Sequence, residues 1–235
     1  DRWAVTQNHL GNALMTLGDR EASAEKLALA EKSYRLALEI RTREESPEEW
    51  ALLNSNLGTA LLKRGEIEGG AEHFRQAASA FGEALKEFSR ERTPADWALT
   101  QMNLATALSR LSAHDDDIRP LEGAASAFTA ALEEIPRDER PDEWARLENS
   151  LGNVLSELGE RTGDGRWLEL ANTAYRATLE IWTRDRAPLQ WALATANLGN
   201  ALWALGEMRS DAALLGDAAD EILSALDVFR EQGET

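Results

Sequence analysis

The chain has 235 residues, with 42 acidic against 25 basic side chains, a net charge of −17 and no cysteine. That acidity argues against nucleic acid and against anionic membrane, both of which reward clusters of Lys and Arg. The missing cysteine excludes disulfides and thiolate metal sites. No apolar run approaches transmembrane length and no signal peptide opens the chain, so the expected location is cytoplasmic.

Tryptophan followed by alanine returns every 47 residues, at Trp3, Trp50, Trp97, Trp144 and Trp191, and five such periods fill the chain. A period of this size marks a stacked repeat, in which each unit contacts only its neighbours. The repeats expected are 1–47, 48–94, 95–141, 142–188 and 189–235, forming a single array.

In chain order, the first repeat is in phase from Asp1-Arg2-Trp3, and Gly18 is expected to end its first helix. The second is the type unit. Ser46-Pro47-Glu48-Glu49 reads as a helix start, with a Ser cap, Pro at the first helical position and acids against the positive end of the helix dipole. Thr93-Pro94-Ala95-Asp96 and Arg140-Pro141-Asp142-Glu143 repeat that grammar. This helix, A, is predicted to run to about Arg64 and to stop at Gly65, with Ser112, Gly159 and Gly206 at the matching positions. Helix B is predicted from near Ala71 to about Arg90, with Phe74, Ala77, Phe81, Ala84 and Phe88 at helical spacing. No segment reads as a strand, so the class is all-α, a solenoid of five helix-turn-helix repeats.

The third repeat departs from this pattern. It lacks both glycines, carries Pro120 near the start of helix B and has Pro136 where the helix should end about a turn early. A change of curvature is expected between the third and fourth repeats. In the fifth, helix B carries Ile222, Leu223, Leu226, Val228 and Phe229, and Trp3 at the other end has no preceding helix B, so neither end looks capped. The expectation is that the natural protein continues in one or both directions, or that ends associate between copies.

Helix A has two faces. At 100° per residue, Trp50, Leu57 and Leu61 share a side that changes little between repeats, the packing face. Leu52, Ser55, Thr59, Leu62 and Lys63 cluster opposite, where size and polarity vary. Glycine recurs inside helix A at Gly11, Gly58, Gly152 and Gly199, at a cost of roughly 1 kcal/mol each against alanine. Close approach of a neighbouring helix is the expected reason.

Leu57-Gly58-x-x-Leu61, then Ala77-x-x-x-Phe81-x-x-Ala84 and a closing Pro94, resembles the tetratricopeptide repeat. The other repeats carry it as Ala30, Tyr34 and Ala37; Ala124, Phe128 and Ala131; Ala171 and Tyr175; and Ala218 and Ala225, with Ile222 for the aromatic and Thr235 for the proline. The usual unit has 34 residues, so 13 are extra; seven lie between the glycine and the helix B alanine, and most of the rest are expected to extend helix B. The run from Trp97 to Leu104 is similar to longer-repeat relatives, including the kinesin light chain and bacterial multidomain proteins. The resemblance implies a right-handed superhelix whose concave groove is lined by helix A, and a protein or peptide as partner. It also implies sensor or adaptor duty beside an effector domain.

The variable face thereby becomes the candidate binding surface: Asn8, Asn12, Met15, Thr59, Lys63, Met102, Thr106, Arg110, Arg146, Asn149, Asn153, Asn200 and Trp203, with Val5, Leu52, Leu99 and Leu193 beside them. Asn12, Asn153 and Asn200 share one position and resemble the family's peptide-gripping asparagine. An amide both donates and accepts, so it can satisfy an extended backbone without reading its sequence. The competing reading is that these amides solvate an open face or bond a neighbouring helix. Trp203 is either an anchor for a partner or packing for a following repeat. Lys63, Arg110 and Arg146 with Asn149 and Asn153 form an incomplete clamp for a terminal carboxylate, opposed by Glu157.

Catalysis finds no support. His9, His73 and His114 fall at unrelated repeat positions, and no metal or cofactor is expected. Asp115-Asp116-Asp117 reads as a solvated loop, and Gly163-Asp164-Gly165 lacks the preceding strand of a nucleotide fingerprint. Two functions stay open: a scaffold binding a peptide or protein segment, and an oligomerisation module whose groove or ends are filled by another copy.

Overall fold

The computed structural model describes residues 2–114 and 116–233, so the expectations placed on Asp1, Asp115 and Thr235 lie outside the described residues. Ten α-helices and no strand occur among the described residues, and no helix there is long and apolar enough to cross a membrane. The chain falls into two compact units, Asp1–Glu134 and Ile135–Thr235. The first contains α1 (Arg2–Arg20), α2 (Ala24–Leu38), α3 (Pro47–Glu68), α4 (Ala71–Ala84), α5 (Pro94–Ser112) and α6 (Arg119–Leu132). The second contains α7 (Pro141–Thr162), α8 (Gly165–Ile181), α9 (Pro188–Arg209) and α10 (Ala212–Glu231). Odd-numbered helices are the A helices and even-numbered ones the B helices.

Every A helix packs on its own B helix, and within each unit a B helix packs on the next A helix. The A helices of each unit also touch one another, α1 with α3, α3 with α5 and α7 with α9, and among the described residues no two B helices of one unit make comparable contact. Each unit is therefore tighter on its A side.

Glycine sets the spacing within each hairpin. A Cβ built on Gly11 would stand 2.6 Å from Cε1 of Tyr34, and one on Gly152 equally close to Tyr175. Phe81 crowds Gly58 and Ile222 crowds Gly199 in the same way. The expected close approach is thus to the aromatic, or to Ile222, of the repeat's own helix B. Tyr34, Phe81 and Tyr175 are almost fully buried at these crossings. Burying each such ring is worth roughly 2–3 kcal/mol.

The second glycine row corrects an expectation. Gly18, Gly65, Gly159 and Gly206 do not stop helix A; they lie inside it, buried, and α3 runs on to Glu68. Their missing side chains admit Leu27, Phe74, Leu168 and Leu215 from the first turns of the B helices. Gly163, at φ 67°, is the left-handed residue that caps α7.

Helix starts differ from the expected grammar too. Pro47, Pro94, Pro141 and Pro188 do open A helices, but neither Ser46 nor Thr93 makes a side-chain cap bond. Proline has no N–H to satisfy, and Arg140 and Ala187 stand at the cap position equally well. The side-chain caps are on the B helices, where Ser23, Asp164 and Asp211 accept backbone N–H groups. Asp117 of the acidic triplet does the same for Arg119 N at 3.0 Å, and that arginine holds its carboxyl below the usual range.

Helix B is shorter than expected, with α4 ending at Ala84. The extra length goes into longer A helices and into the connections from B to A. There Phe88 turns back to pack with Ala51, Ala84, Trp50 and Trp97. Pro136 does not end α6 earlier than α2 or α4, since α6 ends at Leu132, the counterpart of Leu38 and one position past that of Ala84, whereas α8 runs two positions further.

The tryptophan ladder is less buried than a core role requires. Trp3 is 49% exposed, and Trp50, Trp97, Trp144 and Trp191 are half-buried. The deep position is the next one, occupied by Ala4, Ala51, Ala98, Ala145 and Ala192. Three indoles lie beneath arginines, Arg43 over Trp50 at 5.7 Å, Arg137 over Trp144 at 4.9 Å and Arg184 over Trp191 at 5.9 Å. Each guanidinium also holds a carboxylate of the following repeat, respectively Glu87 just beyond α4, Glu180 of α8 and Glu231 of α10.

Candidate binding face of the A helices

The variable face of helix A splits in two. Leu52, Leu99 and Leu193 stand exposed, whereas Ser55 and Leu62, expected beside them, are buried. Both turn toward the next A helix: Ser55 Oγ meets Thr100 Oγ1 at 3.4 Å, and Leu62 packs in one cluster with Ala107 and Leu111. An A helix between two others keeps only a narrow strip for solvent.

Asparagines on this strip brace the hairpins. Tyr34 Oη donates to Asn12 Oδ1 at 2.8 Å and approaches Met15 Sδ at 3.8 Å. Asn56 Nδ2, on the next A helix, donates to Asn12 Oδ1 and to Asn8 Oδ1. The second unit repeats the arrangement: Tyr175 Oη donates to Asn153 Oδ1 at 2.8 Å, and Asn197 Nδ2 reaches Asn153 Oδ1 at 3.1 Å and Asn149 Oδ1 at 3.4 Å. Burial pushes both tyrosine hydroxyls well above their ordinary range, with Glu160 adding to the effect at Tyr175. These phenols stay neutral donors that need an acceptor.

Residue identity follows from that need. Asn12 and Asn153 stand with Tyr34 and Tyr175, whereas Thr59 and Thr106 occur in the repeats whose aromatics are Phe81 and Phe128. A phenyl ring asks for no acceptor, and both threonines donate back to their own helix, to Ser55 O and Met102 O. Met102 is half-buried beside them. In the fifth repeat Asn200 stands with Ile222, so among the described residues no hydroxyl engages it, and Asn200 is exposed.

Charges are arranged as strictly. Lys63 Nζ binds Asp19 Oδ1 at 2.6 Å, and Arg110 lies 3.9 Å from Glu66. In each case a base on one A helix answers an acid on the preceding one. The basic half of the supposed carboxylate clamp is therefore already engaged in the first unit. Arg146 is exposed in a separate depression with Asp142 and Arg186, whose own ion pair spans 2.9 Å, two turns along α7 from Asn153.

In the second unit the strip is acidic. Asn153, Glu157 and Glu160 follow one side of α7, and Asn200, Trp203 and Glu207 follow the facing side of α9. Two adjoining depressions run between them, one lined by Asn153, Glu157, Glu160, Asn197 and Asn200 among others. The other, of about 600 Å³, is lined by Glu160, Asn200, Trp203, Ala204 and Glu207. Trp203 is 56% and Leu193 55% exposed. Glu157 is paired with Arg161 of its own helix, whereas Glu160 and Glu207 have no ion pair among the described residues.

Sequence reasoning brought forward Asn200 and Trp203 and passed over Glu160, Ala204, Glu207 and the bracing Asn56 and Asn197. A signal was present: acids recur at Asp19, Glu66, Glu160 and Glu207, and bases answer the first two 44 residues later. No group of His, Asp and Glu able to hold a metal ion occurs among the described residues. His114 stacks on Phe74, and His73 lies 3.3 Å from Glu68.

No family model and no curated protein matches the chain. Among solved structures it is similar to the crystal structure of BtubC (BKLC) from P. vanneervenii, at 19% identity, covering 96% of this chain and 91% of that one with a TM-score of 0.48. The helical repeat fold rests on the helices and contacts described above.

Proposed function

We propose that this chain is a protein-interaction scaffold that binds an extended segment of a partner protein along the A-helix strip. The observation that carries the reading is the strip of α7 and α9, where the exposed indole of Trp203 and the exposed amide of Asn200 line adjoining depressions, with exposed Leu193 farther along α9. Large aromatics supply much of the binding energy where proteins meet, and a free amide can pair with peptide backbone in either sense. The braces formed by Tyr34 and Tyr175 support it further, because they hold the strip rigid and lower the ordering cost of binding.

Selection of a displayed random-peptide library against the full chain tests this, with backbone amide shifts used to map where the selected peptides sit. Shifts along α7 and α9, reduced in Trp203→Ala combined with Asn153→Ala, are expected. Shifts confined to B helices, or no enrichment at all, would refute the reading.

A second reading, association between copies, is favoured by Leu223, 59% exposed, and exposed Leu226 on α10. Leu38, Leu85, Leu132 and Leu179, at the position of Leu226, are all half-buried. Light scattering over a range of concentrations decides it, since a strictly monomeric species rules it out.

A further inference from the structure

The acidic strip of the second unit lacks the bases of its counterpart in the first, since Glu157 and Ala204 stand at the repeat position of Lys63 and Arg110. Asp19 and Glu66 are each answered by a base on the next A helix, Lys63 and Arg110. Glu160 holds the same position in the fourth repeat, and the residue that should answer it in the fifth is Ala204. Alanine cannot reach a carboxylate. The space its missing side chain leaves is part of the depression between Glu160 and Trp203. Among the described residues Glu160 accepts one side-chain hydrogen bond, from Ser156 Oγ of its own helix at 3.4 Å, and has no ion pair.

The same chain shows what fits beside an indole and a carboxylate. Arg43, Arg137 and Arg184 each lie over a tryptophan while binding a glutamate. Trp203 with Glu160 and Glu207 presents those two components without the cation. A guanidinium or ammonium over an indole gains from the ring quadrupole, and a net charge of −17 draws cationic segments toward the chain.

We infer that Glu160, Asn200, Trp203 and Ala204 form a slot for one arginine or lysine side chain of the bound protein segment. This rests on the reading that the A-helix strip binds such a segment. The partner's cation takes the place that Lys63 and Arg110 fill internally in the first unit. Glu160 and Glu207 neutralise it, Trp203 covers it, and the Asn200 amide holds the adjoining backbone.

The test uses the full chain, following the Trp203 indole N–H resonance, identified with Trp203→Phe. The probes are a blocked pentapeptide with arginine between glycines and the same peptide with neutral citrulline. Saturable shifts with arginine are expected, and roughly tenfold weaker binding with citrulline. Ala204→Lys, which installs a base like those Lys63 and Arg110 supply in the first unit, should abolish them, and Glu160→Gln should weaken them about tenfold. Should Ala204→Lys fail to fold, the exposed Glu160→Gln variant decides alone. Equal binding of citrulline, or unchanged binding by Glu160→Gln, overturns the slot. Library peptides that sit on α7 and α9 yet lack arginine and lysine overturn the slot and spare the scaffold. Absence of any peptide on that strip overturns both.

Discussion

The two units carry the same brace and opposite charge arrangements. Asn12, Tyr34 and Asn56 in the first unit reappear as Asn153, Tyr175 and Asn197 in the second, with the same 2.8 Å bond from tyrosine to asparagine. On the strip beside it, the first unit neutralises its acids with its own Lys63 and Arg110, whereas the second leaves Glu160 unanswered. Identical scaffolding with altered surface charge separates what holds a repeat together from what distinguishes one repeat's surface from another's. The brace and the glycine crossings are shared, so a difference in binding between the units is expected to come from side chains on the strip.

The largest expected effect tests the shared scaffold. Gly58→Ala and Gly152→Ala place a methyl group under 3 Å from a ring carbon in each unit. Each should cost about 2 kcal/mol, as overpacking outweighs the gain in helix propensity. Denaturant melts showing a loss in only one unit would break the equivalence. Next come Tyr34→Phe and Tyr175→Phe, each removing a hydrogen bond worth about 1 kcal/mol. Equal shifts in the urea midpoint are expected, and double mutants with Asn12→Thr or Asn153→Thr should recover part of the loss, reproducing the pairing of Thr59 with Phe81.

A smaller effect tests the difference. Lys63→Ala breaks a partly exposed ion pair, so it should change stability by no more than about 0.5 kcal/mol. It should also leave Asp19 open, giving weak arginine-peptide shifts in α1 and α3 where the native chain has none. If Lys63→Ala gains no such response, carboxylate exposure alone does not make a slot and Trp203 is indispensable to it. The smallest effect concerns Glu148 on α7, whose carboxyl is raised by burial and partly restored by Arg137. A raised value means the neutral acid suits the fold, so its contribution is present below the ordinary carboxylate range and lost as pH rises through the raised value. Glu148→Gln should therefore melt higher than the native chain at pH 7 and equally at pH 4.

Much of this was legible in the residues. The 47-residue period, the all-helical class and the close approach at Gly58 follow from local pattern, because helical periodicity and the cost of glycine act within one or two turns. The pairing of asparagine with tyrosine was also present, in the matched identities at Asn12 and Tyr34 against Thr59 and Phe81. It goes unnoticed unless two columns of the repeat are compared, since neither residue is unusual alone.

Tertiary structure decided the rest. Gly65 reads as a helix terminator by propensity, yet Phe74 packing against it carries α3 to Glu68, because a buried ring outweighs a local preference. Ser55 and Leu62 look as free as Leu52 on a helical wheel, and only the neighbouring α5 hides them. The acid–base pairs join side chains 44 residues apart, a distance set by how adjacent A helices lie side by side and by no feature of either helix. The period and the two faces of helix A belong to the sequence, being products of local geometry. Which charges are satisfied, and so where a foreign cation could enter, depends on the neighbour each helix meets.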